Sequence, residues 1–378
     1  MTNTNNSNLG LIEEETEIEE NDIEPEEEFI NEPFDPNLIR VDTRPMTIDL
    51  VLKRIKFQEI DLAPEFQRQD GIWTPTAESR LIESILIRIP LPAFYMDATN
   101  DNKWMVIDGL QRLSTLKKFA IDQTLTLQSL EFLVHLNGKK YDELPRNYQR
   151  RIEETYLTVY LIDKGTPPEV KYNIFRRINT GGVPLSPQEL RHALNPGQAT
   201  KFLNKLAKSQ EFTKVTNISN KRQKRMDDHE FILGFIAFYL MPYQNYPIKQ
   251  GRDYFLNEAM IKINKMSQEQ LNEVENKFKF AIITAYSIFD KYAFRKIFNP
   301  HQKMQPLNKS LFEAWSVVFS KLNEQEAELL KQRKDKVRNA FINCIEQDEE
   351  FVKSISQAAD KVNYRFQIIE KIVREALS

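Results

Sequence analysis

Five consecutive residues, Asp108-Gly109-Leu110-Gln111-Arg112, join a carboxylate, a glycine, a side-chain amide and a guanidinium between a strand-like run, Trp104 to Ile107, and the helical rhythm of Leu113, Leu116 and Phe119. A helix start exposes unpaired N–H groups and the positive end of its dipole, so a phosphate placed there is stabilised. Gly109 lets the backbone approach such a ligand closely, and Arg112 can grip a phosphate bidentately. Asp108 is poorly placed to bind an anion alone; it is suited to hold a Mg²⁺ that the phosphates share, or to orient a water. Gln111 can orient the same water or a phosphate oxygen. The structural alternative is a strand-to-helix turn with a surface arginine, or an Asp108–Arg112 ion pair that serves stability only.

The elements that would position these residues are legible on both sides of the motif. Met46 to Phe57 has a helical apolar rhythm (Ile48, Leu52, Ile55) with Thr47 as its cap, and Glu59 to Leu62 is strand-like. Thr74 with Pro75 opens a helix whose apolar stripe is Leu81, Ile82, Ile85, Leu86 and Ile89, stopped by Pro90 and Pro92. Ala93 to Met96 and Trp104 to Ile107 predict a hairpin that delivers Asp108. Tyr156 to Ile162 reads as a further strand and Glu169 to Ile178 as a helix ending in Asn179-Thr180-Gly181-Gly182. Ser186, Pro187 and Glu189 form a capping-box start for the next helix. Beyond about Gln198 amphipathic helices dominate. The expected class is α+β: an acidic disordered arm over residues 1–40, an α/β core over 41–195 and a helical unit over 196–378, with no internal repeat.

Composition narrows the chemistry. The chain of 378 residues is 41% hydrophobic and 28% charged, ordinary for a globular protein of two to three domains. One cysteine, Cys344, makes no intramolecular disulfide or Cys-rich zinc site, and His135, His192, His229 and His301 form no HxxxH or HxxH pair. No run approaches a membrane span and the first thirty residues lack the basic start and apolar run of a signal peptide, so a cytoplasmic protein without a membrane partner is expected. The net charge of -3 conceals an asymmetry: residues 1–36 hold thirteen acids and no Lys or Arg, leaving 52 basic against 42 acidic residues elsewhere, or +10. A basic body with an acidic arm suits contact with a polyanion such as DNA. The arm reads either as a solubilising tail or as a segment that folds back and competes with nucleic acid.

Lys221, Arg222, Lys224 and Arg225 put four basic residues in five positions, suited to phosphate-backbone contact in DNA and equally to a solvated loop. His229 beside Asp228 lacks metal-motif spacing and reads as structural. Gly181-Gly182 could form an amide nest for phosphate or simply turn between two helices.

Four ordered segments carry a resemblance: Phe66-Gln67-Arg68 followed by Trp73; Ser79 to Leu86 ending in Ile89-Pro90-Leu91-Pro92; Val106 to Leu116; and Phe175 to Arg191. In this order and spacing, over roughly residues 45–260, the chain resembles the GmrSD-type N-terminal domain family, ParB/sulfiredoxin-like proteins with an Asp-Gly-Gln-Gln-Arg motif. The resemblance implies a ParB/sulfiredoxin-like core that binds a nucleoside triphosphate with Mg²⁺, and in several members hydrolyses it, in phage-defence and modification-dependent restriction systems. Asp108, Gly109, Gln111 and Arg112 would form the nucleotide and hydrolysis motif with Ser114 beside it. Gln67 and Arg68 would face it as a phosphate contact, and Asn179 and Gly181 would sit on a nearby loop. Leu110 stands where the family usually has its first Gln, and a leucine orients no water, so the resemblance implies binding more directly than hydrolysis. Members that cut DNA append an HNH-type nuclease with clustered histidines; after residue 230 this chain has only His301, so cleavage is expected from a separate nuclease. The readings carried forward are a nucleotide-dependent regulator of a defence system, a non-catalytic DNA-binding or scaffold protein with a degenerate pocket, and, with least support, a nuclease in its own right.

Overall fold

The structure, a computed structural model, describes residues 40–62, 73–163, 165–166, 168–178, 186–298, 303–356 and 359–378. The acidic arm, Gln67, Arg68, Asn179, Gly181 and His301 lie outside the described residues. The described residues divide into two compact units, residues 40–194 and Asn195–Ser378. The class is α+β.

The first unit is built on a five-stranded sheet of order β1-β5-β3-β4-β2, with β1 Val41–Thr47, β2 Ile60–Asp61, β3 Phe94–Asp97, β4 Trp104–Asp108 and β5 Tyr156–Ile162. The β3–β4 hairpin is antiparallel, β3 runs parallel to β5, and β2 parallel to β4. Strand β5 alternates as a half-covered strand should: Leu157, Val159 and Leu161 are buried while Tyr156 and Thr158 are exposed. Helices α1 (Ile48–Lys56), α2 (Pro75–Leu86), α3 (Leu110–Ala120) and α4 (Arg146–Glu154) contribute Ile48, Val51, Ile82, Ile85, Leu113, Leu116, Phe119 and Ile152 to one large core with Phe94, Met96, Val106 and Val159. Each such side chain contributes about 1.5–3 kcal/mol by leaving water. Helices α5 (Pro168–Ile178) and α6 (Pro187–Leu194) bring Tyr172, Phe175 and Leu190 into a smaller core with Ile107 and Ile162.

Local signals hold closely. The Thr47 and Thr74 side chains accept from the N–H groups of Leu50 (3.3 Å) and Ala77 (3.2 Å), capping α1 and α2. Ser186 and Glu189 exchange hydrogen bonds in the capping box that starts α6. One strand went unread and one expectation fails, for identifiable reasons. Val41–Thr47, with Met46 opposite Leu157, form β1, a strand that exists through pairing with β5 more than a hundred residues away. Ile89 is 51% exposed, since α2 closes at Leu86 and Pro90 prevents a further turn.

The second unit is helical, from α7 (Gln198–Ala207) and α8 (Gln210–Thr216) through α9 (Asn220–Gln223), α10 (Asp227–Leu240), α11 (Gly251–Asn264), α12 (Gln268–Phe289), α13 (Lys309–Ser320), α14 (Glu324–Gln332), α15 (Lys334–Gln347) and α16 (Glu349–Ser354) to α17 (Val362–Leu377). Helices α10, α12 and α13 supply Phe231, Phe235, Phe278, Phe312 and Trp315 to its core. That unit also buries charge: Lys309 lies 3.2 Å from Glu230, and Arg252 lies 2.6 Å and Arg365 3.3 Å from Glu313. Among the described residues no helix is long and apolar enough to cross a membrane.

Candidate functional site

Strand β4 ends on Asp108, and the chain turns into α3 through Gly109, whose φ of +97° is in the left-handed region. A Cβ on Gly109 would lie 2.3 Å from Cδ1 of Phe94, so no larger residue fits without moving that buried ring. The first helical bond of α3 runs from the N–H of Leu113 to the Gly109 carbonyl at 2.9 Å, and no side chain caps the helix. The N–H groups of Leu110, Gln111 and Arg112 therefore stand outside the helical ladder, the arrangement that favours an anion. Leu110 packs against the large core.

Arg112 Nη2 lies 2.9 Å from Asp108 Oδ2 and also donates to the Ala93 carbonyl at 3.1 Å, while Nη1 donates to the Pro92 carbonyl. The guanidinium carbon sits 4.3 Å from the Phe94 ring centroid. Arg112 is thus no free surface cation: it ties the first turn of α3 to the entry of β3, with its side chain only 11% exposed. Burial raises the Asp108 carboxyl above its ordinary pKa, against the opposing pull of Arg112 and of the Gly109 N–H. Burial lowers Arg112, opposed by Asp108.

The motif residues that the structure describes stand at one strand-to-helix junction, with Gln111 and Ser114 half-buried along the start of α3. Two tyrosines that spacing did not single out lie beside them. Tyr95 pairs with Asp108 across β3 and β4 and with Tyr160 across β3 and β5, and the two rings stack with centroids 4.9 Å apart. Their two-residue strand period was the available signal, but the cross-strand register was not. At the opposite end of β3, buried Lys171 of α5 holds both Asp97 oxygens at 3.2 Å and also meets Thr99 Oγ1, fixing the start of the helix that leads toward Asn179 in sequence.

The basic cluster lies on and just after α9 in the helical unit. Lys221 and Lys224 are exposed, while Arg222 is 3.5 Å from Asp227. His229 is buried, with Nδ1 2.9 Å from Asp228 Oδ1, and among the described residues no group of three or more His, Cys, Asp or Glu side chains could hold a metal ion.

Residues 49–195 match the family model of the GmrSD restriction endonuclease, N-terminal domain. That stretch is similar to a GmrSD-type N-terminal domain. The match begins within α1 and ends just past α6, so the matched stretch takes in β2 to β5 and the whole Asp108–Arg112 junction. No curated protein matches the chain.

Proposed function

We propose that this chain is a nucleotide-binding regulatory component of a bacterial restriction or phage-defence system, acting with DNA and a separate nuclease. The observation that supports this most directly is the uncapped start of α3, reached through Gly109 and flanked by the Asp108–Arg112 pair. Phosphates would take the N–H groups of Leu110, Gln111 and Arg112, with Ser114, Gln67, Arg68, Asn179 and Gly181 as further contacts. Asp108 would hold a Mg²⁺ shared with the phosphates, and such an ion would supply charge neutralisation there. Gln111, half-buried in the first turn, would orient a water. Nucleotide state would shift the balance between conformations that meet DNA or the nuclease differently.

The second reading, a non-catalytic DNA-binding or scaffold protein, is favoured by two facts: Leu110 faces the core, and both terminal nitrogens of Arg112 already serve Pro92, Ala93 and Asp108. Binding and phosphate release decide between them, measured with Mg²⁺ and all four nucleoside triphosphates, with and without duplex DNA. The informative variants are Asp108→Asn and Gln111→Ala, since Arg112→Ala would also release the β3 entry. Release abolished by both supports an NTPase; binding without release leaves a nucleotide-gated switch; no binding of any nucleotide leaves the scaffold reading. For the DNA contact, Lys221→Gln with Lys224→Gln should reduce the salt slope of DNA affinity by roughly two counterions, and an unchanged slope removes that cluster from the interface.

A further inference from the structure

We propose that Tyr160 and Tyr95 form a nucleobase-stacking wall that continues the Asp108 site across the face of the sheet that carries Tyr156 and Thr158, holding the base of the nucleotide whose phosphates sit at the start of α3. The inference rests on the nucleotide reading above and adds the part of the ligand that the motif leaves unaddressed. The strand register aligns Tyr160, Tyr95 and Asp108 on three neighbouring strands. Tyr95 and Tyr160, paired in a regular parallel ladder, project to one face, and a β-bulge between Tyr95 and Met96 brings Asp108 opposite Tyr95 at the end of β4, so the pair of rings ends beside the carboxylate. The Tyr95 and Tyr160 planes are inclined by 22° at 4.9 Å, an offset stack that presents a ring to a further aromatic partner. The hydroxyl of Tyr95 is raised above its ordinary pKa by burial first and then by Tyr160 and Asp108, consistent with a phenol beside that carboxylate.

This face is accessible where a base would enter. On β5, Tyr156 is 71% exposed and Thr158 is exposed on the side Tyr160 occupies, whereas Leu157, Val159 and Leu161 are buried on the other. The small core of Ile107, Ile162, Tyr172, Phe175 and Leu190 covers the far end of that face, and Tyr95 packs on its rim. Neighbouring strands lie about 4.8 Å apart, so Tyr160 on β5 stands about 10 Å from β4, which feeds α3. One mononucleotide spans a distance of that order between phosphate and base. Every base has a π-face, so a wall of this kind gives affinity with little choice among the four bases.

The test uses the full chain with Mg²⁺ and calorimetric titration of inorganic triphosphate, ATP, GTP, CTP and UTP into the wild type, Tyr160→Phe and Tyr160→Leu, with thermal melting as the folding control. The wild type should bind each nucleotide roughly ten- to a hundredfold more tightly than inorganic triphosphate. Tyr160→Phe should keep that preference, and Tyr160→Leu should abolish it while leaving triphosphate affinity unchanged. Equal affinity of the wild type for triphosphate and nucleotides, or a parallel loss of both in Tyr160→Leu, overturns the wall while leaving the phosphate site standing. If the wild type binds neither, the nucleotide reading fails and the wall fails with it. Single-stranded DNA that depends on Tyr160 when free nucleotides do not overturns the proposal in favour of a strand as the ligand.

Discussion

Replacing Gly109 with alanine tests the geometry on which the candidate site depends. The residue holds φ at +97°, and an L-residue in the left-handed region costs about 1–2 kcal/mol. The added Cβ would also meet Cδ1 and Cε1 of Phe94 at 2.3 and 2.9 Å. That ring is fully buried in the large core and lies beneath the Arg112 guanidinium, so it cannot swing into solvent. Overpacking of this kind costs about 1–3 kcal/mol, and the two contributions together predict a loss of about 2–5 kcal/mol. Hydrogen exchange on the peptide covering residues 104–120 of the full chain reads the opening free energy of β4 and α3 directly. Phe94→Leu provides the internal control: it makes room for the methyl group but leaves φ strained, so the double variant should lose at least about 1 kcal/mol less than the two single losses combined. A loss below about 0.5 kcal/mol in Gly109→Ala, or strict additivity with Phe94→Leu, would refute the argument that a buried ring and a left-handed turn dictate this glycine.

Three further outcomes follow from buried charge. Glu83 accepts the N–H groups of Glu131, Phe132 and Leu133 at 3.0, 2.8 and 2.8 Å, so Glu83→Gln should lower protection of the 128–138 segment by about 1.5–3 kcal/mol at neutral pH. Burial raises the Glu83 pKa, but those donors outweigh it and hold the group below its ordinary 4.5; its stabilisation is present above pH 4.5 and fades as pH falls through the lower folded value, a decline that Glu83→Gln should lack. Lys171→Met leaves Asp97 buried without its cation and should cost about 3–5 kcal/mol in urea unfolding, partly recovered by adding Asp97→Asn; an unrecovered loss would place the cost in packing. Asp227 is pushed up to about 6, by burial first and also by Glu230 and Asp228, against Lys309 and Arg222. Its proton is held in the folded chain, so its contribution is full below about pH 3.8 and lost as pH rises through about 6. Asp227→Asn should therefore flatten the melting temperature between about pH 4 and 6, and an unchanged profile would assign that dependence to other groups.

Much of the fold was legible because its signals are local. Thr47, Thr74 and Ser186 cap helices through side chains three residues or fewer from the N–H groups they satisfy, and the alternation of β5 records which side meets the core. Strand β1 escaped notice because its seven residues, exposed except near Met46, become a strand only through β5. Helix α4 carries a single buried residue, Ile152, and so leaves little apolar rhythm to read.

The candidate site divides along the same line. The order of residues 108–112 determined that a carboxylate stands four residues before a guanidinium across a glycine turn, because separation along the chain is a property of the sequence alone. Tertiary structure decided what that guanidinium does, since the carbonyls of Pro92 and Ala93 and the ring of Phe94 reach it from about twenty residues away. It also decided that Tyr95 and Tyr160 meet beside Asp108, because strand register is set by non-local pairing and a shift of one residue would turn both rings to the other face.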